Sequence, residues 1–492
     1  MGTGKTFVLI CNMADLWESG ECDTVLVMAP NGVHTNWVNL ELPKHMPTWV
    51  NWRAAAWKSG MGKGKRAAFD QIMKPSGVHD PELRILAANW ESLVHKSSYD
   101  VIRKFVESGK RVMIIGDESQ NIKNPQSVRT KNLMKLRNLS EWRRTMSGTP
   151  ITQGPFDAFA PYTFLDPRIL GTTSYWAFKS EYAQMQPQFL EHTNRMGEKT
   201  MFPNPLIKKV MAAQGNNRVP QIVARDDDGR PQWKNLEKLN ELVAPATFRV
   251  LKSDCLDLPE KIYKTASFEL TTQQRTAYRL AKEECRLLYE GEATAFAKLT
   301  AVTKLAQITS GYYLHPDAGE EPVRIEGDQP KVDILVDRVK SIVEQGSKVI
   351  IWARFHVEIA DVAAALKAAK TDGPPIKVVQ YHGKIKADDR EAAKIAFQDD
   401  PSVNVFIGQQ QAGGAGITLT AASYVIYYSN DFSLTNRLQS EDRAHRIGQT
   451  KNVVYLNIVA EDTIDEQIVG LLAGKKNVAD IITGDNISQL ID

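Results

Sequence analysis

The sequence predicts an α/β protein built on two parallel sheets in tandem, with helical insertions. Three observations predict it. Short apolar runs alternate with helix-length amphipathic stretches from Lys5 to Met146, and again from Val332 to Ile458. In both tracts the apolar runs end on polar residues, as parallel strands do when they deliver side chains to one sheet edge. Between Phe156 and about Asp257 the alternation fails and aromatic helical pieces replace it.

Taken in order, Lys5 to Ser19 has helical composition and stops near Gly20. A strand at Thr24–Met28 runs into Ala29-Pro30, and Asn31–Leu42 reads as a loop entering a helix with Trp37 and Leu40 inward. Gly60–Lys74 carries Lys63, Lys65 and Arg66 among glycines and reads as a mobile basic loop before a helix. Strands follow at Arg84–Ala88, ending on Asn89, and at Val112–Ile115, ending on Asp117 and Glu118. A helix near Tyr99–Glu107 separates them; helix Ser127–Leu136 and strand Arg144–Met146 close the first tract.

In the middle, Phe164, Tyr175, Trp176, Phe178 and Tyr182 give way to a polar stretch with Pro203, Pro205, Asn216 and Asn217. Leu258-Pro259 opens a crossing segment, Thr271–Tyr289 and Val302–Ile308 are helical, and Pro316–Pro330 is a linker. The second tract begins with a helical stripe of Val332, Leu335, Val336, Val339, Ile342 and Val343. Strands then fall at Lys348–Trp352, Ile376–Gln380, Val403–Ile407, Tyr424–Tyr428 and Val453–Ile458, with helices at Val357–Ala369 and Ala387–Phe397. The expected domains are 1–160, an insertion at 161–258, a helical crossing segment and linker at 259–330, 331–475, and a tail at 476–492.

Composition bounds the function classes. At 492 residues, 42% hydrophobic and 24% charged, the chain has the profile of an ordinary soluble protein. A net charge of +3 makes any nucleic-acid surface local. Cys11, Cys22, Cys255 and Cys285 have neither C-x-x-C pairing nor a histidine cluster, which reads as reduced and structural thiols in a cytoplasmic setting. No apolar run is long enough to span a bilayer. The phosphate-loop pattern lacks room upstream of Met1 for its strand and first small residue, so a missing start is expected.

Several clusters carry chemistry. Gly2, Thr3, Gly4, Lys5 and Thr6 form the tail of a phosphate-binding loop entering a helix. There, backbone N–H groups would hold phosphates, Lys5 would reach the β and γ oxygens, and Thr6 would ligate Mg²⁺. Asp117 follows an apolar strand and would hold the metal directly or through water; Glu118 would orient or deprotonate the attacking water, and Gln120 would sense the other domain or the γ-phosphate. Ser147 and Thr149 sit on a strand-end turn one strand later, a candidate link between nucleotide state and domain closure. Gly413, Gly414 and Gly416 allow close backbone approach to a phosphate or ribose. Gln439, Arg443 and Arg446, at i, i+4 and i+7, would share one helix face and meet charge on a phosphoryl group. Alone, an R-x-x-R pair reads as a solvated face and A-G-G-A-G as a tight turn. Together the clusters point to an ATPase whose site closes between the two halves. His445 reads as structural.

The order G-x-G-K-T, A-P, D-E-x-Q, S-G-T-P, A-G-G-x-G and D-R-A-H-R-I-G-Q resembles the Swi/Snf-type ATPases of helicase superfamily two, over Gly2 to about Ile468. The extended Asp117–Pro125 run and the closing R-A-H-R-I-G-Q are the most specific parts. Ala29–Trp37 resembles small bacterial or bacteriophage members. The resemblance implies two RecA-like domains clamping ATP and Mg²⁺, with double-stranded DNA tracked across them. It implies backbone contacts from Asn31, Gly32, Asn89, His382, Gly383 and Gln410. It implies a DNA-dependent ATPase that translocates on duplex DNA. A strand-separating DNA or RNA helicase and a nucleotide-gated clamp without turnover are the alternatives. Ser147 stands where Thr is commoner, Thr418 where Asn is usual, and Asp431-Phe432-Ser433 where D-W-N is usual.

Overall fold

The computed structural model describes the chain apart from residues 1–2, 59, 61–62, 76, 78–80, 149–150, 152–153, 188, 194–198, 204–220, 227–230, 251, 291–294, 314–321, 414–415 and 475–492. Two compact units emerge: one of residues 6–249, called the first below, and one of residues 250–492, called the second, with which residues 1–5 group.

The first unit is built on five parallel strands: β1 (Thr24–Ala29), β2 (Trp52–Ala56), β3 (Leu83–Asn89), β4 (Val112–Asp117) and β5 (Trp142–Met146), in the order β2-β3-β1-β4-β5. β1 and β4 are buried along their whole length and β3 in all but its last residue, which is why they read as continuous apolar runs rather than alternating ones. Their side chains split by parity: Leu26 and Met28 pack on one face, Val25 and Val27 on the other. Helices α1 (Lys5–Glu18), α2 (Lys96–Glu107) and α3 (Val128–Arg137) cover the two faces, with Leu9, Ile10 and Met13 of α1 on one and Ile102, Phe105, Leu133 and Leu136 on the other.

Two local expectations are corrected here, and one unassigned strand is added. Trp52–Ala56 is a strand, paired with β3 at the sheet edge, and its W-R-A-A-A sequence has no apolar run to announce it. Lys63–Ile72 is helix through the basic residues themselves, anchored by Phe69 and Ile72 in the core. Trp37 is buried but Leu40 is exposed, because the Leu42 N–H bonds back five residues to Trp37 and widens the turn. The insertion holds helices Phe159–Leu165, Tyr175–Tyr182 and Leu236–Val243. It also holds antiparallel pairs joining Met185–Pro187 to Gln221–Val223 and Phe189–Thr193 to Lys199–Pro203.

The second unit carries six parallel strands: β6 (Lys261–Phe268), β7 (Lys348–Trp352), β8 (Val378–Tyr381), β9 (Val405–Gly408), β10 (Ala422–Tyr427) and β11 (Val453–Ala460). Their order is β6-β11-β10-β7-β9-β8. β6 falls inside the stretch expected to be a helical crossing segment. It is an edge strand, exposed through its middle, so its K-I-Y-K-T-A-S-F sequence lacks the apolar signature of its neighbours. Helices α4 (Thr272–Glu290), α5 (Ala295–Thr309), α6 (Pro330–Glu344) and α7 (His356–Ala368) pack with α10 (Ile464–Ala473) over Val349 and Ile351. Ile350 and Trp352 face a second core with Phe397 of α8 (Ala387–Asp399) and Ala444 of α9 (Leu434–Ala444).

Burial pushes the Cys22 thiol up to about 12 and the Cys285 thiol up to about 11, which makes both inert packing residues. Among the described residues no helix is long and apolar enough to cross a membrane.

Candidate nucleotide and nucleic-acid site residues

Because every strand of the first sheet runs the same way, its carboxyl ends share one edge. The register sets Ala29 beside Asn89, Met28 beside Gly116, and Asp117 beside Met146. Helix α1 runs back against this direction. Trp142 Nε1 donates to the Glu21 carbonyl just past the end of α1, while Arg144 Nε donates to Asn12 Oδ1 two residues further up β5. From Asn12 to the first turn of α1 is about 10 Å of helix, and from Arg144 to Ser147 about 10 Å of strand. The first turn of α1, Thr6 included, therefore stands level with the edge that carries Asp117, Glu118 and Ser147. Gly4, at φ +80°, makes the left-handed turn into α1, and among the described residues beyond its chain neighbours no atom lies within 4 Å of where a Cβ would be.

Asp117 is fixed from two sides. Trp37 Nε1 donates to its Oδ2 at 3.0 Å and Trp90 Nε1 to its backbone carbonyl at 3.0 Å, and the residue is only 8% exposed. Neither indole was legible as a partner of the carboxylate; the only signal was that both follow closely on strand ends. Gly116 keeps the chain close to Trp90, whose Cη2 would lie 3.3 Å from an added Cβ.

Glu118 has φ 52° and ψ 61°, a left-handed conformation costing a non-glycine residue about 1–3 kcal/mol. The fold sustains it with a polar relay. Ser147 Oγ donates to Gln120 Oε1 at 2.7 Å, and Gln120 Nε2 donates to Glu118 Oε2 at 2.9 Å. Asn121 Nδ2 holds the Glu118 carbonyl at 2.9 Å. Four candidate groups thus sit on one edge, three of them in a single hydrogen-bonded line. Gly2 and Thr149 lie outside the described residues.

The same edge carries the first unit's candidate nucleic-acid residues. Asn31 and Gly32 are exposed just after β1, with Gly32 at φ +86°. Asn89 spends its Oδ1 on Ser92, accepting from its N–H at 2.9 Å and its Oγ at 2.5 Å, so it caps the turn that follows β3.

In the second unit, His382 and Gly383 follow β8 and Gln410 follows β9, at the carboxyl edge. The His382 ring lies edge-on to His356 at 5.1 Å. Burial, His356, Lys384 and Arg390 hold the His382 pKa below the usual imidazole range. Gln410 departs from expectation: it is 1% exposed and its Oε1 accepts from the Asp431 N–H at 2.6 Å. It braces one loop against another and presents no amide outward.

Gln439, Arg443 and Arg446 were expected on one helix face, and the structure alters this. α9 stops at Ala444, and His445 leaves the helix at φ −98° and ψ 80°. Gln439 and Arg443 remain one turn apart on α9, both buried, while Arg446 comes off the following turn. It nevertheless meets Arg443, since both guanidiniums reach the Ile417 carbonyl, at 3.3 and 3.4 Å. Leu419 N–H also donates to the Arg443 carbonyl at 3.0 Å, so the segment around Thr418 is built against the arginines. Gly416, at φ +70°, immediately precedes it; Gly414 lies outside the described residues. Phe432, in the D-F-S run, is buried beneath the Arg354 guanidinium at 3.7 Å, and Ser433 caps α9 by accepting from the Asn436 N–H.

Sequence reasoning passed over the network beneath α9. Glu441, 4% exposed, accepts from Lys261 Nζ at 2.9 Å, Tyr263 OH at 2.7 Å and Arg437 Nε at 3.0 Å. Burial alone would raise its pKa; Lys261 and Arg437 outweigh that and hold the carboxyl below its usual range. His445 is structural as expected, donating from Nε2 to the Pro259 carbonyl at 2.7 Å.

A family model described as SNF2-related domain matches residues 1–312, and one described as helicase conserved C-terminal domain matches residues 330–448. Among curated proteins the chain is 25% identical over 490 residues to the SWI/SNF chromatin-remodeling complex subunit snf22 of Schizosaccharomyces pombe, covering 95% of this chain and 25% of that protein. It is 23% identical over 509 residues to the ATP-dependent helicase fft3 of the same organism, covering 96% and 53%. The chain spans between a quarter and about half of these relatives. A solved structure of the Sulfolobus solfataricus SWI2/SNF2 ATPase core in complex with dsDNA aligns at 24% identity and a TM-score of 0.35, covering 99% of this chain and 88% of that one. With its first 312 residues matched as SNF2-related domain and the helicase C-terminal domain following, the chain belongs to the SNF2-related family.

Proposed function

We propose that this chain is the motor of a DNA-dependent ATPase that hydrolyses ATP while tracking along double-stranded DNA. The observation that carries the reading is the row of phosphate-compatible groups on one edge of the first sheet: the first turn of α1 with Thr6, a buried strand-end Asp117, and Glu118 tied through Gln120 to Ser147. Membership in the SNF2-related family supports it. So do the names of relatives that are described as an ATP-dependent helicase and a chromatin-remodeling subunit.

In this reading the first turn of α1 receives the ATP phosphates on its N–H groups and Lys5. The Thr6 hydroxyl and Asp117 carboxylate are hard oxygen donors suited to Mg²⁺, which would supply neutralising charge to the phosphate oxygens when bound. Glu118 positions the attacking water and takes its proton, with Gln120 fixing the direction of its carboxylate. Gln439, Arg443 and Arg446 serve the phosphoryl group in transfer, the guanidiniums by countering its negative charge. Asn31, Gly32, Asn89, His382 and Gly383 contact DNA backbone, which gives little sequence preference and steep salt dependence. The Ala29–Trp37 stretch supports a bacterial or bacteriophage setting.

The test is the ATPase rate measured in parallel with no nucleic acid, duplex DNA, single-stranded DNA and RNA. Stimulation by duplex above the other three is expected. Equal rates in all four would overturn the duplex-motor reading, and ATP binding without turnover would favour a nucleotide-gated clamp.

A further inference from the structure

We propose that Lys252 is a positioning residue for Arg443 and Arg446, fastening the backbone next to each from the segment where the chain enters its second unit. The inference rests on the ATPase reading above. Lys252 comes three residues after Arg249, the last residue of the first unit. Its Nζ donates to Asp442 Oδ1 at 2.5 Å and to the His445 carbonyl at 2.9 Å. Asp442 immediately precedes Arg443 and His445 immediately precedes Arg446, so one ammonium grips the residue before each arginine.

The rest of the same segment repeats the grip. The Pro259 carbonyl accepts from His445 Nε2 at 2.7 Å. Lys261 Nζ pairs with Glu441 at 2.9 Å and lies 3.9 Å from Asp442. Residues 441, 442 and 445 are therefore all held from residues 252–261. This matters most for Arg446. Since α9 ends at Ala444, the helix no longer dictates the backbone that carries Arg446, and outside contacts must do so. Side-chain exposures of 21% for Lys252 and 15% for Asp442 separate this pair from a solvated surface ion pair, whose partners drift. The second acceptor on the ammonium is a main-chain carbonyl, which makes the contact a geometric constraint on the turn as well as a charge pairing.

The test uses the full chain in two independent measurements. In steady-state ATPase assays at saturating duplex DNA, Lys252→Met should lower kcat by about 10–100-fold, the size expected from misplacing a reacting group by about 1 Å. KM for ATP and the Kd for duplex DNA should stay within about twofold, and Lys252→Arg should recover part of the loss. Asp442→Asn, which leaves the His445 carbonyl contact in place, should lower kcat in the same direction but by less, and the double variant should be no slower than Lys252→Met, which already removes the contact they share. In hydrogen–deuterium exchange, the peptide spanning Ala444–Gln449 should exchange faster in Lys252→Met, whether or not ATP is turned over.

A parental kcat in Lys252→Met, losses that multiply in the double variant, or unchanged exchange in that peptide would each overturn the proposal. Should Lys252→Met fail to fold, Asp442→Asn carries the same kcat and exchange readouts. The ATPase reading is judged separately, by the parent's duplex-stimulated rate and its loss in Arg446→Ala. A parent that turns over ATP while Lys252→Met matches it refutes the strut alone.

Discussion

Arg443 and Arg446 share one acceptor: each donates from Nη1 to the Ile417 carbonyl oxygen, at 3.3 and 3.4 Å. Their nitrogen atoms thus stand within two hydrogen-bond lengths of each other, and like charges that close repel unless an anion lies between them. Two guanidiniums held this close suit a phosphoryl group, whose charge spreads over several oxygens.

It follows that Arg446→Ala should lower kcat for ATP at saturating duplex by about 10³-fold, the low end of what such an arginine supplies. KM and duplex affinity should move only a few-fold. Arg446→Lys should rescue little, since an ammonium cannot reproduce the planar fork. Parental turnover in Arg446→Ala would remove the arginines from the site.

Glu118→Gln should lose about 10²–10⁴-fold in kcat, the usual contribution of a positioned base, while ATP binding by fluorescence titration stays near the parent's. The left-handed backbone at Glu118 adds a second expectation. Glu118→Gly should be equally inactive yet unfold at the same temperature or higher, because glycine adopts that conformation without strain. A Glu118→Gly variant that unfolds well below the parent would show that the side chain is there for the fold.

The Ser147–Gln120–Glu118 line predicts a graded effect. Ser147→Ala removes the 2.7 Å bond that orients the Gln120 amide and should slow turnover by about tenfold through a looser carboxylate. Ser147→Thr keeps the hydroxyl and should hydrolyse at close to the parental rate. Equal rates for Ala and Thr would mean that Gln120 needs no such support.

Much of this architecture is legible because it is local. Lys348–Trp352 is a strand with the bounds its apolar run suggests, and Asp117 stands at a strand end as its position after Val112–Ile115 requires. What the sequence hides is of two kinds. Edge strands such as Trp52–Ala56 and Lys261–Phe268 bury too little to leave an apolar signature. Contacts across great chain distance leave no pattern at all: Lys252 meets Asp442 from 190 residues away, and Trp37 meets Asp117 from 80. Arg446 illustrates a third limit. Its spacing suits a helix face, but the helix ends two residues earlier, and tertiary contacts rather than periodicity bring it to Arg443.

Glu441 supplies a pH dependence whose sign can be worked out. Burial pushes its carboxyl up, but pairing with Lys261 and Arg437 pushes further down, so the folded pKa lies below the unfolded one. A carboxyl of that kind stabilises the fold above its unfolded pKa of about 4.3, and that stability is lost as pH falls through the folded value. Glu441→Gln removes the titration and leaves Lys261 and Arg437 without their carboxylate. At neutral pH the variant should therefore unfold at a lower temperature than the parent. The gap should close as both are taken down from pH 6 to about 3, because the parent alone loses this contribution. The reading is by Tm against pH for the two proteins side by side. A gap that stays constant or widens on acidification would mean that the Glu441 carboxylate is not what binds β6 to the end of α9.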